Sequence, residues 1–237
     1  DQRIYETLIG GGVSGLLVMG SAGEFFDLTV AERKALIDLA VKYQDQTKVI
    51  IGTGAMTVEE ALLLSRYADQ AGAENIILMS PYYFVLSESA LFDYFGRIAE
   101  AVSSNVYLYN FPDRTGYDLT PALTLKLIAA HPNIVGYKDT VSDMAHTRRL
   151  IRTIAPQAPQ FAIYSGFDEN YTRKLLSGGV GAIGALSNIF PEFIAKVVQD
   201  TQAERLEALQ QDQLVIDKLM ALYEITPCFI PIIKQAM

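Results

Sequence analysis

Short apolar runs recur along this chain at a near-constant interval, and that rhythm limits the fold more than any other feature. They occupy residues 15–20 (GLLVMG), 49–54 (VIIGTG), 75–80 (NIILMS), 105–110 (NVYLYN), 134–139 (IVGYKD), 161–166 (FAIYSG) and 181–186 (GAIGAL). Each is rich in β-branched or aromatic residues and continuous rather than alternating, the pattern of a strand buried on both faces. Amphipathic stretches separate them. Thr29 and Glu32 have the spacing of a capping box. Residues 87–101 place Leu91, Phe92, Phe95, Ile98 and Ala99 on one helical face. Thr120-Pro121 opens a third helix with proline at its first position. Strands and helices alternating about every 25 to 30 residues predict parallel βαβ units.

The predicted fold class is α/β, a (β/α)8 TIM barrel, and 237 residues suit one such barrel. No linker, low-complexity segment or charge run divides the chain, so a single domain over residues 1–237 is expected. Seven runs are visible where the barrel has eight strands. Ile4, Leu8 and Ile9 already read as a helix, which puts the first strand before Asp1. The stretch 233–237 reads as a helix cut short, so C-terminal helices are also expected to be missing. A doubly wound open sheet competes, but it normally carries GxGxxG after its first strand, and none follows the first run here.

Composition removes several function classes. With 19 Lys and Arg against 27 Asp and Glu, the net charge of −8 argues against nucleic acid or an anionic membrane as partner. The single cysteine, Cys228, excludes an internal disulfide and is expected to be a buried thiol. Only His131 and His146 are present, too few for a His-rich metal site, and neither has a carboxylate or nucleophile at useful sequence spacing. No run reaches the roughly 20 residues that span a bilayer, and no signal segment opens the chain, so a cytoplasmic protein is expected.

In barrels of this kind reacting groups sit at the C-terminal ends of strands. The first run ends in Gly20-Ser21-Ala22-Gly23-Glu24, whose free N–H groups make either a carboxylate nest or an ordinary tight turn. Lys138 stands at the end of a buried run, where an unpaired ammonium costs several kcal/mol. Its amine is suited to attack on a carbonyl, with Gly136 leaving space beside it; the alternatives are snorkelling or pairing with Asp139. Tyr109, one βαβ unit earlier, is placed to relay protons or to serve as a core tyrosine. Arg114 follows as a candidate to grip a substrate carboxylate, or to form a surface ion pair.

Taken together, these residues resemble the dihydrodipicolinate synthase/N-acetylneuraminate lyase family of Schiff-base aldolases. The resemblance runs over essentially the whole chain. It rests on Gly20-Ser21-Ala22-Gly23-Glu24, Pro81-Tyr82-Tyr83, Tyr109-Asn110-Phe111-Pro112 with Thr115-Gly116, Gly136-Tyr137-Lys138-Asp139-Thr140, and Gly166-Phe167-Asp168-Glu169. It implies that Lys138 forms the imine with pyruvate, that Tyr109 relays protons beside Ser21, and that Ser21 and Ala22 bind the pyruvate carboxylate. It implies that Ile183 lines the pyruvate pocket, that Thr140 contacts substrate, and that Tyr83 crosses a dimer interface into the neighbouring subunit's site. It further implies a dimer of dimers, with no metal and no organic cofactor.

Within that family the motifs divide. Ala22 lacks the second hydroxyl usual in synthases, whereas Arg114 matches the arginine that grips a semialdehyde carboxylate. Asp168 and Glu169 look like the pair that hydrogen-bonds a polyhydroxy tail. The whole is most similar to the branch that cleaves 2-keto-3-deoxy sugar acids into pyruvate and an aldehyde. A dihydrodipicolinate synthase, a sialic acid lyase and a keto-acid-binding sensor barrel are the alternatives, the last opposed by the intact Lys138 and Tyr109.

Overall fold

A computed structural model describes residues 2–237. Its sheet contains seven strands, β1 (Gly15–Val18), β2 (Lys48–Gly52), β3 (Asn75–Met79), β4 (Asn105–Asn110), β5 (Ile134–Asp139), β6 (Ala162–Ser165) and β7 (Gly181–Ala182). They are all parallel and lie in sequence order. The helices are α1 (Gln2–Gly10), α2 (Val30–Ala40), α3 (Val58–Gln70), α4 (Glu88–Ala99), α5 (Pro112–Thr115), α6 (Pro121–Ala130), α7 (Met144–Ile154), α8 (Tyr171–Leu176), α9 (Pro191–Gln202), α10 (Leu206–Leu219) and α11 (Ile230–Ala236).

Sequence-local chemistry explains most of the boundaries. Thr29 caps α2 in a complete capping box with Glu32, and Thr57, Ser87 and Thr120 cap α3, α4 and α6 through their hydroxyls. β3 is buried at every position and β4 at every position after Asn105, as continuous apolar runs require. The run at 181–186 yields only the two-residue β7, because the chain turns into a 3₁₀ turn at Leu186–Asn188. Three helices, α9, α10 and α11, follow β7.

The sheet curls. Lys48 Nζ, at the start of β2, donates to Tyr107 Oη of β4 at 2.8 Å and to Tyr164 Oη of β6 at 3.3 Å. Meeting of alternate strands on one inner layer is how a barrel interior fills. Gly136 makes this layer possible, since a Cβ there would lie 2.3 Å from two carbons of the Tyr107 ring. The room beside Lys138 expected from Gly136 is therefore occupied by tyrosine. Among the described residues no helix is long and apolar enough to cross a membrane.

Candidate active site

β4 and β5 bring Tyr109 and Lys138 together, directly paired in the parallel register. Both side chains are buried. Lys138 Nζ lies over the Tyr109 ring, 4.3 Å from its centroid, a cation–π geometry. The Tyr109 hydroxyl shares a hydrogen bond with Ser21 Oγ at 3.1 Å. Asp139, the expected alternative partner of Lys138, faces the other side of the strand, where it meets Lys174, Thr147 and His146. Lys138 thus reaches no carboxylate within ion-pair distance among the described residues.

Across the sheet, the turn after β1 is tightly built. Gly23 N–H donates to Gly20 O and Glu24 N–H to Ser21 O, while the N–H groups of Ser21 and Ala22 have no acceptor among the described residues. Two adjacent free N–H groups beside a hydroxyl make an anion-binding concavity. Met19 and Glu24 bracket the turn in left-handed conformation, at φ 59° and 51°. Gly52 of β2 supports it from beneath, because a Cβ there would come within 2.2 Å of the Met19 carbonyl oxygen. Arg33 of α2 fixes that support: buried, it donates to Gly52 O at 3.1 Å and Gly54 O at 2.9 Å, and its guanidinium lies over the Phe25 ring. Nothing in the local sequence around Arg33 marks it for this task.

The mouth is aromatic. Phe111 stacks on Tyr109 with a 17° interplanar angle and meets Phe167 edge-on. Arg114, exposed on the short α5, lays its guanidinium over Phe111 at 5.4 Å and forms no ion pair among the described residues. Thr140 is buried with an unpartnered hydroxyl, and Ile183 is half-buried, its N–H donating to Ser165 O.

Asp168 and Glu169 differ in their partners. Asp168 Oδ2 accepts from Ala185 N–H at 3.0 Å, Leu186 N–H at 3.4 Å and Tyr223 Oη at 3.3 Å. Burial raises its pKa, opposed by those amides, the tyrosine and the charge of Lys138. Burial raises the Glu169 pKa, with the charges of Asp168 and Asp217 acting the same way and Arg173 against them, and its main-chain oxygen accepts from Gln213 of α10. Asp168 is thus held by protein donors, whereas Glu169 keeps a buried Oε2 without a hydrogen-bond partner among the described residues. Tyr83 stands apart, 83% exposed with φ 86°, packed edge-on against Phe84.

Two sequence readings need correction. Cys228 is exposed, not buried. His146 does meet carboxylates: its Nε2 lies 3.0 Å from Asp118 Oδ1 and its Nδ1 3.3 Å from Asp139 Oδ1. These partners sit on other elements, so no sequence spacing announces them.

The chain has relatives in both sequence and structure. A putative 2-dehydro-3-deoxy-D-gluconate aldolase of Escherichia coli K12, YagE, is 39% identical over 99% of this chain and 78% of its own. A probable 2-dehydro-3-deoxy-D-pentonate aldolase of the same organism, YjhH, is 35% identical over 100% of this chain and 79% of its own. The crystal structure of YagE in complex with pyruvate superposes with a TM-score of 0.96 at 36% identity, covering 99% of this chain and 79% of that one. Residues 2–237 match the Dihydrodipicolinate synthetase family end to end, and the chain belongs to that family.

Proposed function

We propose that this enzyme is a Schiff-base aldolase that reversibly cleaves a 2-keto-3-deoxy sugar acid into pyruvate and an aldehyde. One observation carries the reading: a buried lysine amine without a carboxylate partner lies against a tyrosine whose hydroxyl is bonded to Ser21. The names of YagE and YjhH, both 2-dehydro-3-deoxy sugar-acid aldolases, support the substrate class.

In this mechanism the substrate carboxylate sits on the Ser21 and Ala22 N–H groups. Lys138 attacks the C2 carbonyl and water leaves, giving an iminium. The C4 hydroxyl proton passes to the Tyr109 oxygen as Tyr109 passes its own to Ser21 Oγ, and the half-exposed Ser21 releases its proton to solvent. The C3–C4 bond breaks, its electron pair is taken up by the iminium, and aldehyde and enamine result. The proton lost from the C4 hydroxyl is regained at C3, and water then releases pyruvate from Lys138. The iminium is the electron sink, so the scheme uses neither metal nor organic cofactor. Ile183 walls the pyruvate side, and Thr140 offers its unpartnered hydroxyl to the substrate. The exposed Tyr83, Phe84 and Val85 suit an interface with a second copy, through which Tyr83 enters the partner's site in a dimer of dimers.

A dihydrodipicolinate synthase is the second reading, favoured by Arg114 held at the mouth by Phe111. Borohydride with pyruvate should add a reduced pyruvyl group to Lys138, and a panel of aldehydes with product identification separates the two. Lys138→Ala that still labels and turns over ends the Schiff-base assignment at this residue.

A further inference from the structure

The residue after each reacting group points out of the barrel, and one cluster, buried except at the half-exposed Asp118, holds both of them. Strand alternation turns Tyr109 and Lys138 inward, so Asn110 and Asp139, themselves paired in register, face the helices. Asn110 Nδ2 donates to Asp118 Oδ1 at 2.7 Å, and its own Oδ1 accepts from Leu119 N–H at 3.0 Å. Asp139 Oδ2 accepts from Thr147 Oγ1 at 2.7 Å and Lys174 Nζ at 3.0 Å, and Lys174 also donates to the Asp139 main-chain oxygen at 2.6 Å.

His146 of α7 bridges the two halves. Its Nε2 lies 3.0 and 3.1 Å from the Asp118 oxygens. Its Nδ1 lies 3.3 Å from Asp139 Oδ1, an ion pair rather than an aligned hydrogen bond. The hydrogen bonds to Asp118 and then the close Asp139 carboxylate outweigh burial and raise the imidazole pKa to about 9. Formally two carboxylates face one imidazolium and one ammonium. The remaining groups that face them are the Tyr137 hydroxyl, bonded to Leu119 O and kept protonated first by burial and then by both carboxylates, and Glu169, which acts on Lys174.

We propose that His146 is a positioning residue: as an imidazolium between Asp118 and Asp139 it fixes the strand ends that carry Tyr109 and Lys138. Neutral imidazole has a single N–H donor and can serve only one of the two carboxylates, so the link from Asp118 to Asp139 behind the two strand ends weakens when the proton leaves, leaving Asn110 Nδ2 to Asp139 Oδ1 at 3.5 Å. Misplacement of reacting groups by about 1 Å costs up to ~10²-fold in rate, so a partial release is expected to cost about tenfold.

The proposal rests on Lys138 forming the imine, and the test separates the two. Single-turnover borohydride trapping with pyruvate is followed from pH 6 to 10 in wild type, Asp118→Asn and His146→Gln, with histidine NMR titration alongside. In wild type the trapping rate should fall with the same midpoint as His146, near pH 9. Asp118→Asn should move both midpoints toward acid by about one unit or more. At pH 8 its kcat should fall about tenfold, while KM changes less than about threefold. His146→Gln should trap slowly and lose the alkaline limb. Should His146→Gln not fold, the wild-type and Asp118→Asn titrations decide alone. The positioning role is overturned if the His146 midpoint moves and the trapping midpoint stays, or if the variants lose only thermal stability. Equal labelling of Lys138→Ala overturns the imine assignment instead.

Discussion

Gly136→Ala distinguishes room for substrate from room for the barrel's own tyrosine. The new Cβ would sit 2.3 Å from Cδ1 and Cε1 of Tyr107 and 3.0 Å from the Ala162 carbonyl oxygen. A few tenths of an ångström relieve the second contact, but the first needs the ring to move. The ring is held by Lys48 and by Tyr164, whose centroid lies 6.2 Å away, so movement disturbs both. Overpacking of this kind costs about 1–3 kcal/mol. Loosening the partly exposed lysine adds about 0.5–1 kcal/mol after allowance for solvent. A total of about 2–4 kcal/mol lowers Tm by about 5–15 °C in a chain of this size. Thermal unfolding by circular dichroism reads the shift, and Tyr107→Leu supplies the control. In that background the clash is gone, and the increment from Gly136→Ala should fall below about 1 kcal/mol. An unchanged Tm with a large loss of pyruvate trapping would show that Gly136 serves the substrate after all.

Further outcomes follow from the same geometry. Tyr109→Phe keeps the stack on Phe111 and removes the bond to Ser21, so kcat should fall about 10²–10⁴-fold with Tm preserved; an unchanged kcat assigns the proton to another group. Arg114→Leu should cost less than about tenfold in kcat/KM with a 2-keto-3-deoxy sugar acid, since a charge-assisted bond worth about 1.5–3 kcal/mol is not needed there. Efficient formation of the cyclic lysine precursor, abolished by that substitution, would install the synthase reading. Asp168→Ala should lower stability by about 2–4 kcal/mol by stripping partners from the Ala185 and Leu186 amides and Tyr223; a tenfold rise in KM at unchanged Tm restores it as a substrate contact. His146 has its pKa raised from 6.5 to about 9, so its stabilisation is complete below pH 6.5 and lost as pH rises through 9. Tm should fall over that window, and His146→Gln should flatten the fall.

What the sequence carried and what it hid divide along one physical line. The strands are legible because burial on both faces writes itself locally as continuous apolar residues, and the capped helices because a hydroxyl bonds an N–H three residues on. Lys138 beside Tyr109 is legible because parallel strands repeat with fixed spacing and alternate with fixed period. The supports behind them join residues far apart: His146 to Asp118 across 28 positions, Lys174 to Asp139 across 35, Tyr223 to Asp168 across 55. No period links such pairs. The filling of the space beside Gly136 is hidden for the same reason, since the tyrosine that occupies it comes from a neighbouring strand.

The dipeptide Lys138-Asp139 shows how the legible and hidden parts depend on one another. Written in line, it looks like an ion pair. A carboxylate beside an amine favours the ammonium form, which cannot attack a carbonyl. The pleat prevents that pairing by sending the two side chains to opposite faces. A buried carboxylate then needs another cation, or its desolvation is unmet. Lys174 and His146 supply the positive charge from α8 and α7, and with Thr147 they hold Asp139 below its ordinary pKa despite burial. The outer cluster thus lets the strand end in a lysine whose amine has no carboxylate partner. Removing the outer charge while keeping Asp139 should therefore loosen the same strand end from which Lys138 reaches into the barrel.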